Sequence, residues 1–470
     1  MLLIVAPLAL AAGPRAQQEV PQTQQMLAPD STFTKEQWSF SHEDHKCPGL
    51  DQVNGRHPYK LAACLDDAWN VGLAVQVLHK AKFIENMNRW GPRADSNVQR
   101  RAVLHSAFTW KERHMPTASL TEQAPFNEAL EELLQAFNAT FFAKHTGTER
   151  MLFSHISKAG GTSFHDLAKA NRVAMPEGEW SPQGGWFKGD GPTWCCDVPT
   201  ELSCQDRIFQ MDKYHNKLLL QERYLDANGG KDKPQLCDEL VYAVMLRKPS
   251  DRIMSHLNMI SNDYLKMDQP DNLLVSRLAD VIEAGCTNAT LVADAVYLDT
   301  TPEEIKRTAM TREFGQTLCG VASNYMTRSM LGTTTFGTHV YRSHFNDTVA
   351  EESVESAITV LESYSLVLLL EESAGDQSQL DLFKLTLGFN QSDLASHHER
   401  GTELHERRFV PKFLSPEQRR RLENLNRADL KLYERARLIF AQDLFFYSYA
   451  AGRNMSVPRW LDYSSDLHRR

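Results

Sequence analysis

The stretch YSLVLLLEE, Tyr364–Glu372, is apolar at every position from Leu366 to Leu370. A strand with one wet face alternates apolar and polar side chains, whereas a strand covered on both faces has no reason to. This run therefore predicts a central strand of a parallel sheet. ELVYAVMLR, Glu239–Arg247, is the clearest strand candidate, with alternating and β-branched residues and ended by Pro249. RMLFSHI (150–156) and NKLLLQERYL (216–225) predict two shorter ones. Helical patterns lie between and after them: SFHDLAKANR from Ser163, SDRIMSHLNMISNDYL with Ser250 at the cap position, and a long terminal stretch from Ser415 to Tyr447. Strands that alternate with helices predict a three-layer α/β domain around a central parallel sheet.

The chain before this pattern reads differently. Residues 36–148 form a helical N-terminal region, with apolar residues at helical spacing in LAACLDDAWNVGLAVQVLHKAKFIE and in PFNEALEELLQAFNATFFAKH, where Pro125 stands near the helix start. Residues 13–35, rich in Gln, Pro and Ala, read as a flexible stem. The opening MLLIVAPLALAAG is too short to span a bilayer as it stands, and its Ala9-Leu10-Ala11 fits a cleavage site. It lacks a basic leader segment, so residues 1–12 are expected to be a signal peptide or a short signal anchor, with membrane association at the N-terminus. Residues 149–450 are the expected α/β domain and 451–470 a tail.

The 470 residues allow two or three domains, or one large domain with additions, and 42% hydrophobic content is enough for a full core. A net charge of −9 argues against a nucleic-acid binder that works through broad electrostatics, so any charge that binds phosphate must be local. Eight cysteines suit an oxidising compartment. Cys195, Cys196 and Cys204 cluster in WCCDVPTELSC, without the C-x-x-C spacing of zinc ribbons, and disulfides are expected there. Cys47 and Cys64 can close another small loop, and HEDHKC around His42 and His45 reads as a solvated polar segment rather than a metal site. Glycosylation sequons at Asn138, Asn288, Asn346, Asn390 and Asn454, together with the leader, favour the secretory pathway.

Two motifs carry chemistry. FSHISKAGGTSFHDL, Phe153–Leu167, joins the first predicted strand to a helix through Lys158 and two glycines. Adjacent glycines free the backbone, and a helix start aims N–H groups at one point that suits an anion. The order is not that of a Walker loop, in which the lysine follows the last glycine. The second motif, LRKPSDRIMSHL, Leu246–Leu257, follows a later strand and sets Arg247, Pro249, Arg252 and Ser255 at offsets 0, 2, 5 and 8. Arg252 and Ser255 fall on one helical face, and Arg247 at the strand end can close on the same spot, where guanidinium and hydroxyl groups grip a phosphate.

In order, at the ends of predicted strands, these motifs resemble those of sulfotransferases that use 3′-phosphoadenosine 5′-phosphosulfate (PAPS), especially the Golgi carbohydrate enzymes of the heparan sulfate 2-O and 6-O kind. HISKAGGTSF is similar to that family's 5′-phosphosulfate loop, with Ser157 for the usual proline. LRKPSDRIMSH is similar to its 3′-phosphate motif, with Lys248 for the usual aspartate. SNYMTRSML (323–331), YSLVLLLEE and RADLKLYERA (427–436) resemble later elements of the same family, so the likeness runs from about Arg150 to Tyr449.

The resemblance implies a P-loop-like fold that binds the nucleotide at the carboxyl ends of the strands. It implies that Lys158, Gly160, Gly161, Thr162 and Ser163 hold the 5′-phosphosulfate, and that Arg247 and Ser255 hold the 3′-phosphate. It also implies transfer of a sulfuryl group to a glycan hydroxyl in the Golgi lumen or at its membrane, with no metal. The general base is expected at the end of the strand between the two motifs, where Glu222 stands. His215, just before that strand, is the rival, since histidine titrates nearer neutrality. Two other readings compete: a P-loop phosphotransferase, and a non-catalytic glycan-binding protein of the same fold.

Overall fold

The computed structural model describes residues 47, 49–53, 59–87, 93–146, 150–175, 204–221, 236–259, 282, 286, 319, 322–331, 351–373, 387, 389 and 414–450. The leader, the stem, Cys195, Cys196, Glu222, the tail from 451 and the sequons other than Asn138 lie outside these. Residues 45–470 group as one compact unit.

Among the described residues four helices come first: α1 (Tyr59–Asp66), α2 (Val71–Asn86), α3 (Arg93–His114) and α4 (Leu120–Thr146). Asn70 caps α2 by accepting from the Leu73 amide. Helix α4 begins five residues before Pro125, not at it. Ser119 and Glu122 form a reciprocal cap there, the Glu122 carboxylate accepting from the Ser119 amide at 2.7 Å and the Ser119 hydroxyl from the Glu122 amide at 3.3 Å. That cap fixes the start, and Pro125 is carried inside the helix at the loss of one backbone bond. The helix includes the sequon residue Asn138.

The remaining elements alternate as the apolar runs require: β1 (Met151–Ser154), α5 (Gly161–Ala170), α6 (Cys204–Lys213), β2 (Leu218–Gln221), β3 (Val241–Leu246), α7 (Pro249–Met259), α8 (Tyr325–Leu331), α9 (Glu351–Ser363), β4 (Leu366–Leu369), α10 (Leu370–Ser373), α11 (Pro416–Asn424) and α12 (Arg427–Ala450). The strands form one parallel sheet in the order β2-β1-β3-β4. All six residues of β3 and all four of β4 are buried, which explains their unbroken apolar character. The protein is thus an α/β structure around a central parallel sheet. The chain leaving β1 returns as β2 on one side of it, and the chain leaving β3 returns as β4 on the other. The strand order therefore reverses between β1 and β3, and in open parallel sheets ligands bind beyond the carboxyl ends at such a point.

The N-terminal helices share a core with the sheet. Arg101 of α3 is buried and donates to the carbonyls of Glu362 and Tyr364 at the entrance to β4, and to both oxygens of Asp443 on α12. Arg100 donates to the same carboxylate at 3.1 Å, and Asn97 donates to the Ser363 carbonyl at 3.1 Å. The one buried carboxylate offsets part of the charge of two guanidinium groups that would be costly without it.

Among the described residues three disulfides are present. Cys47 and Cys64 are paired, as their spacing allows; Cys204 is bonded to Cys237, outside its sequence cluster; and Cys286 is bonded to Cys319. Among the described residues no helix is long and apolar enough to cross a membrane.

Candidate anion site at the strand ends

The turn after β1 is tight. The Ala159 amide donates to the Ile156 carbonyl at 3.0 Å, and Lys158 is held at φ 66°. A positive φ is uncommon for a residue with a side chain, and such strain gathers at functional turns. Gly160 follows at φ 89°, a conformation that glycine adopts without strain. The second glycine answers a steric demand: a β-carbon at Gly161 would lie 1.8 Å from Cδ2 of His155, whose imidazole is buried against the helix start.

Helix α5 then begins at Gly161, with the Phe164 amide donating to the Gly160 carbonyl at 2.9 Å. Gly160, the capping residue, has no side chain with which to cap the first turn. The amides of Gly161, Thr162 and Ser163 precede the first helical bond, at the positive end of the helix dipole. Lys158 is half-buried, Thr162 exposed and Ser163 buried. The five residues expected to hold a phosphosulfate are therefore brought together on one turn.

The second motif leaves β3 beside it. Arg247, half-buried, donates from Nη1 to the Lys158 carbonyl at 3.2 Å, which joins the two turns. Helix α7 starts at Pro249, whose fixed φ and missing N–H suit the first helical position. Ser250 is consequently inside the first turn rather than at the cap. Lys248 precedes the helix, and its carbonyl accepts from the Asp251 and Arg252 amides, both at 3.0 Å.

Arg252 does not share the open face with Ser255. It is fully buried, with its guanidinium carbon 4.9 Å from the centre of the Tyr325 ring on α8, and its charge acts on Asp429 of α12. Burial raises the Asp429 pKa, and Arg252 and the donors of Met326 and Thr327 oppose that rise. Asp429 accepts from the amides of Met326 and Thr327 and from the Thr327 hydroxyl, while Asn324 accepts in return from the amides of Ala428 and Asp429. Helices α8 and α12 thus cap one another, and α7 is fastened beneath them through Arg252. Ser255, half-buried, stands on α7, the helix that follows Arg247's turn.

The sequence reading passed over His256. It lies one turn beyond Arg252, is 2% exposed, and its Nδ1 has no hydrogen-bond partner in the structure. Burial, then the charges of Arg252 and Lys158, hold its pKa well below the usual histidine value, so the ring is neutral. The i, i+4 spacing of Arg252 and His256 in SDRIMSH was the available signal, since it puts both on one helical face.

Of the two candidates for a base, His215 is exposed, at φ 54°, in the turn that enters β2 at its amino end. The turns of Lys158 and Arg247 leave the opposite, carboxyl ends. Ser154 of β1 is in register with Gln221 of β2, so the carboxyl end of β2 lies level with the start of the Lys158 turn. Glu222, next in the chain, is outside the described residues. Among those residues no group of three or more His, Cys, Asp or Glu side chains is arranged to hold a metal ion.

The Lys158 turn, the start of α5 and Arg247 thus lie together at the carboxyl ends of two adjacent parallel strands, where a cation and helix amides suit an anion. Comparison with family models, with characterised proteins and with solved structures finds no match.

Proposed function

We propose that the protein is a PAPS-dependent carbohydrate sulfotransferase with a P-loop-like fold. The observation that carries this reading is the joining of the two motif turns at the ends of adjacent parallel strands, with Arg247 bonded to the carbonyl of Lys158 at 3.2 Å. The residues fit the nucleotide. Lys158 and the amides of Gly160, Gly161, Thr162 and Ser163 would take its 5′ end, and Arg247 with Ser255 its 3′-phosphate. When bound, PAPS supplies an activated sulfuryl group whose departure leaves negative charge on a phosphate oxygen. The ammonium of Lys158 and the amides of α5 stabilise that charge as it grows. The acceptor hydroxyl of a glycan gives its proton to a base, for which Glu222 is the choice because it follows the carboxyl end of β2. The setting is the lumen or membrane of the Golgi.

Nucleotide binding tests the reading. Adenosine 3′,5′-bisphosphate should bind more tightly than adenosine 5′-phosphate, and Arg247→Ala should erase most of that difference, about tenfold or more. Equal binding of both nucleotides to the unaltered protein would overturn it.

A further inference from the structure

The turn that carries Arg247 has a brace outside both motifs. In the sheet, Leu246 pairs with Leu369, and there the ladder between β3 and β4 ends. Two residues further along each chain stand Lys248 and Glu371. The Lys248 amide belongs neither to the strand ladder nor to helix α7, which starts at Pro249, so it needs another acceptor. It donates to Oε1 of Glu371 at 2.7 Å. The other oxygen, Oε2, accepts from the Tyr433 hydroxyl of α12 at 3.0 Å. The side chain of Glu371 thus continues the sheet's bonding for one more step, and Tyr433 fixes its orientation. Its neighbour Leu370 reaches the other turn: a β-carbon at Gly160 would meet Leu370 Cδ1 at 2.7 Å. The corner between β4 and α10 therefore touches both motif turns.

We infer that Glu371 is a positioning residue that fixes the Arg247 turn for the 3′-phosphate, held in place by Tyr433. It acts through the backbone of Lys248 and does not touch the nucleotide. The inference rests on the nucleotide reading above. A charged acceptor on a backbone amide is among the stronger hydrogen bonds, and its loss frees the turn whose order aims the guanidinium.

The test compares the affinities of adenosine 3′,5′-bisphosphate and adenosine 5′-phosphate in Glu371→Ala, Glu371→Gln and Tyr433→Phe, with circular dichroism to check folding. Glu371→Ala should lower the preference for the 3′-phosphorylated nucleotide about tenfold and leave the affinity for adenosine 5′-phosphate unchanged. Glu371→Gln, which keeps an acceptor oxygen, should recover most of the preference. Tyr433→Phe should give a smaller loss in the same direction. If the unaltered protein prefers the 3′-phosphorylated nucleotide and Glu371→Ala keeps that preference, the positioning role is wrong and the nucleotide reading stands. An equal loss for both nucleotides would also overturn it, as damage to the fold. If the unaltered protein shows no preference, both fall together.

Discussion

His155 occupies the space that a side chain at Gly161 would need: a β-carbon there would lie 1.8 Å from its Cδ2 and 2.2 Å from its Nε2. The first turn of α5 can lie where it does only because residue 161 has no side chain. Gly161→Ala should push the turn off the imidazole, at about 1–3 kcal/mol of stability, and misdirect the amides that follow. Calorimetry should find weak or absent binding of adenosine 3′,5′-bisphosphate by a folded protein. Undiminished affinity would show that the turn is not the anion site.

Asp443 is buried with two guanidinium groups, those of Arg100 and Arg101, against it. Asp443→Ala leaves both cations in the interior without their carboxylate and should cost about 3–5 kcal/mol. Urea unfolding measures it. A loss under 1 kcal/mol would mean that α3 is not fastened to α12 through this carboxylate.

Burial pushes the Asp66 carboxyl up to about 6. The folded protein therefore holds this proton more tightly than the unfolded chain does. The associated stability is present below the unfolded value near 4 and is lost as pH rises through about 6. The expected loss is on the order of 2 kcal/mol, since part of the group is exposed to solvent screening. Asp66→Asn should flatten the stability profile between about pH 4 and 6, measured by urea midpoints at fixed ionic strength. A variant that follows the original profile would exclude Asp66 as its source.

The fold was legible where one physical demand acts over several residues. Burial on both faces makes Leu366–Leu369 and Val241–Leu246 unbroken apolar runs, and both are strands. It was less legible where the decisive group is distant in the chain. Pro125 reads as lying near a helix start, and the Ser119–Glu122 cap, not the proline, sets where that start falls. Ser250 reads as a cap, but Pro249 takes the first helical position. Arg252 looked like a phosphate ligand from its spacing, yet Tyr325 and Asp429, which bury it, stand 73 and 177 residues further along. Glu371 was hidden for the same reason, since its role depends on the register between β3 and β4.

The two candidate bases stand at opposite ends of β2 in the chain: Glu222 follows Gln221, and His215 precedes Leu218. Glu222→Gln should retain nucleotide binding and lose most sulfuryl transfer, about a hundredfold or more. His215→Ala, at the amino end of β2, should lose little. Single-turnover rates with saturating PAPS distinguish them, and the reverse pattern would move the role to His215.

Transfer itself tests the central claim most directly. Purified protein is given PAPS with radiolabelled sulfate and a panel of glycans, beside Lys158→Ala. Label should pass to at least one glycan, and Lys158→Ala should lower the rate more than the affinity for nucleotide, because its charge matters most as the leaving phosphate forms. No label on any glycan, from a protein that still binds adenosine 3′,5′-bisphosphate, would contradict sulfotransferase activity and leave a nucleotide-binding protein of the same fold.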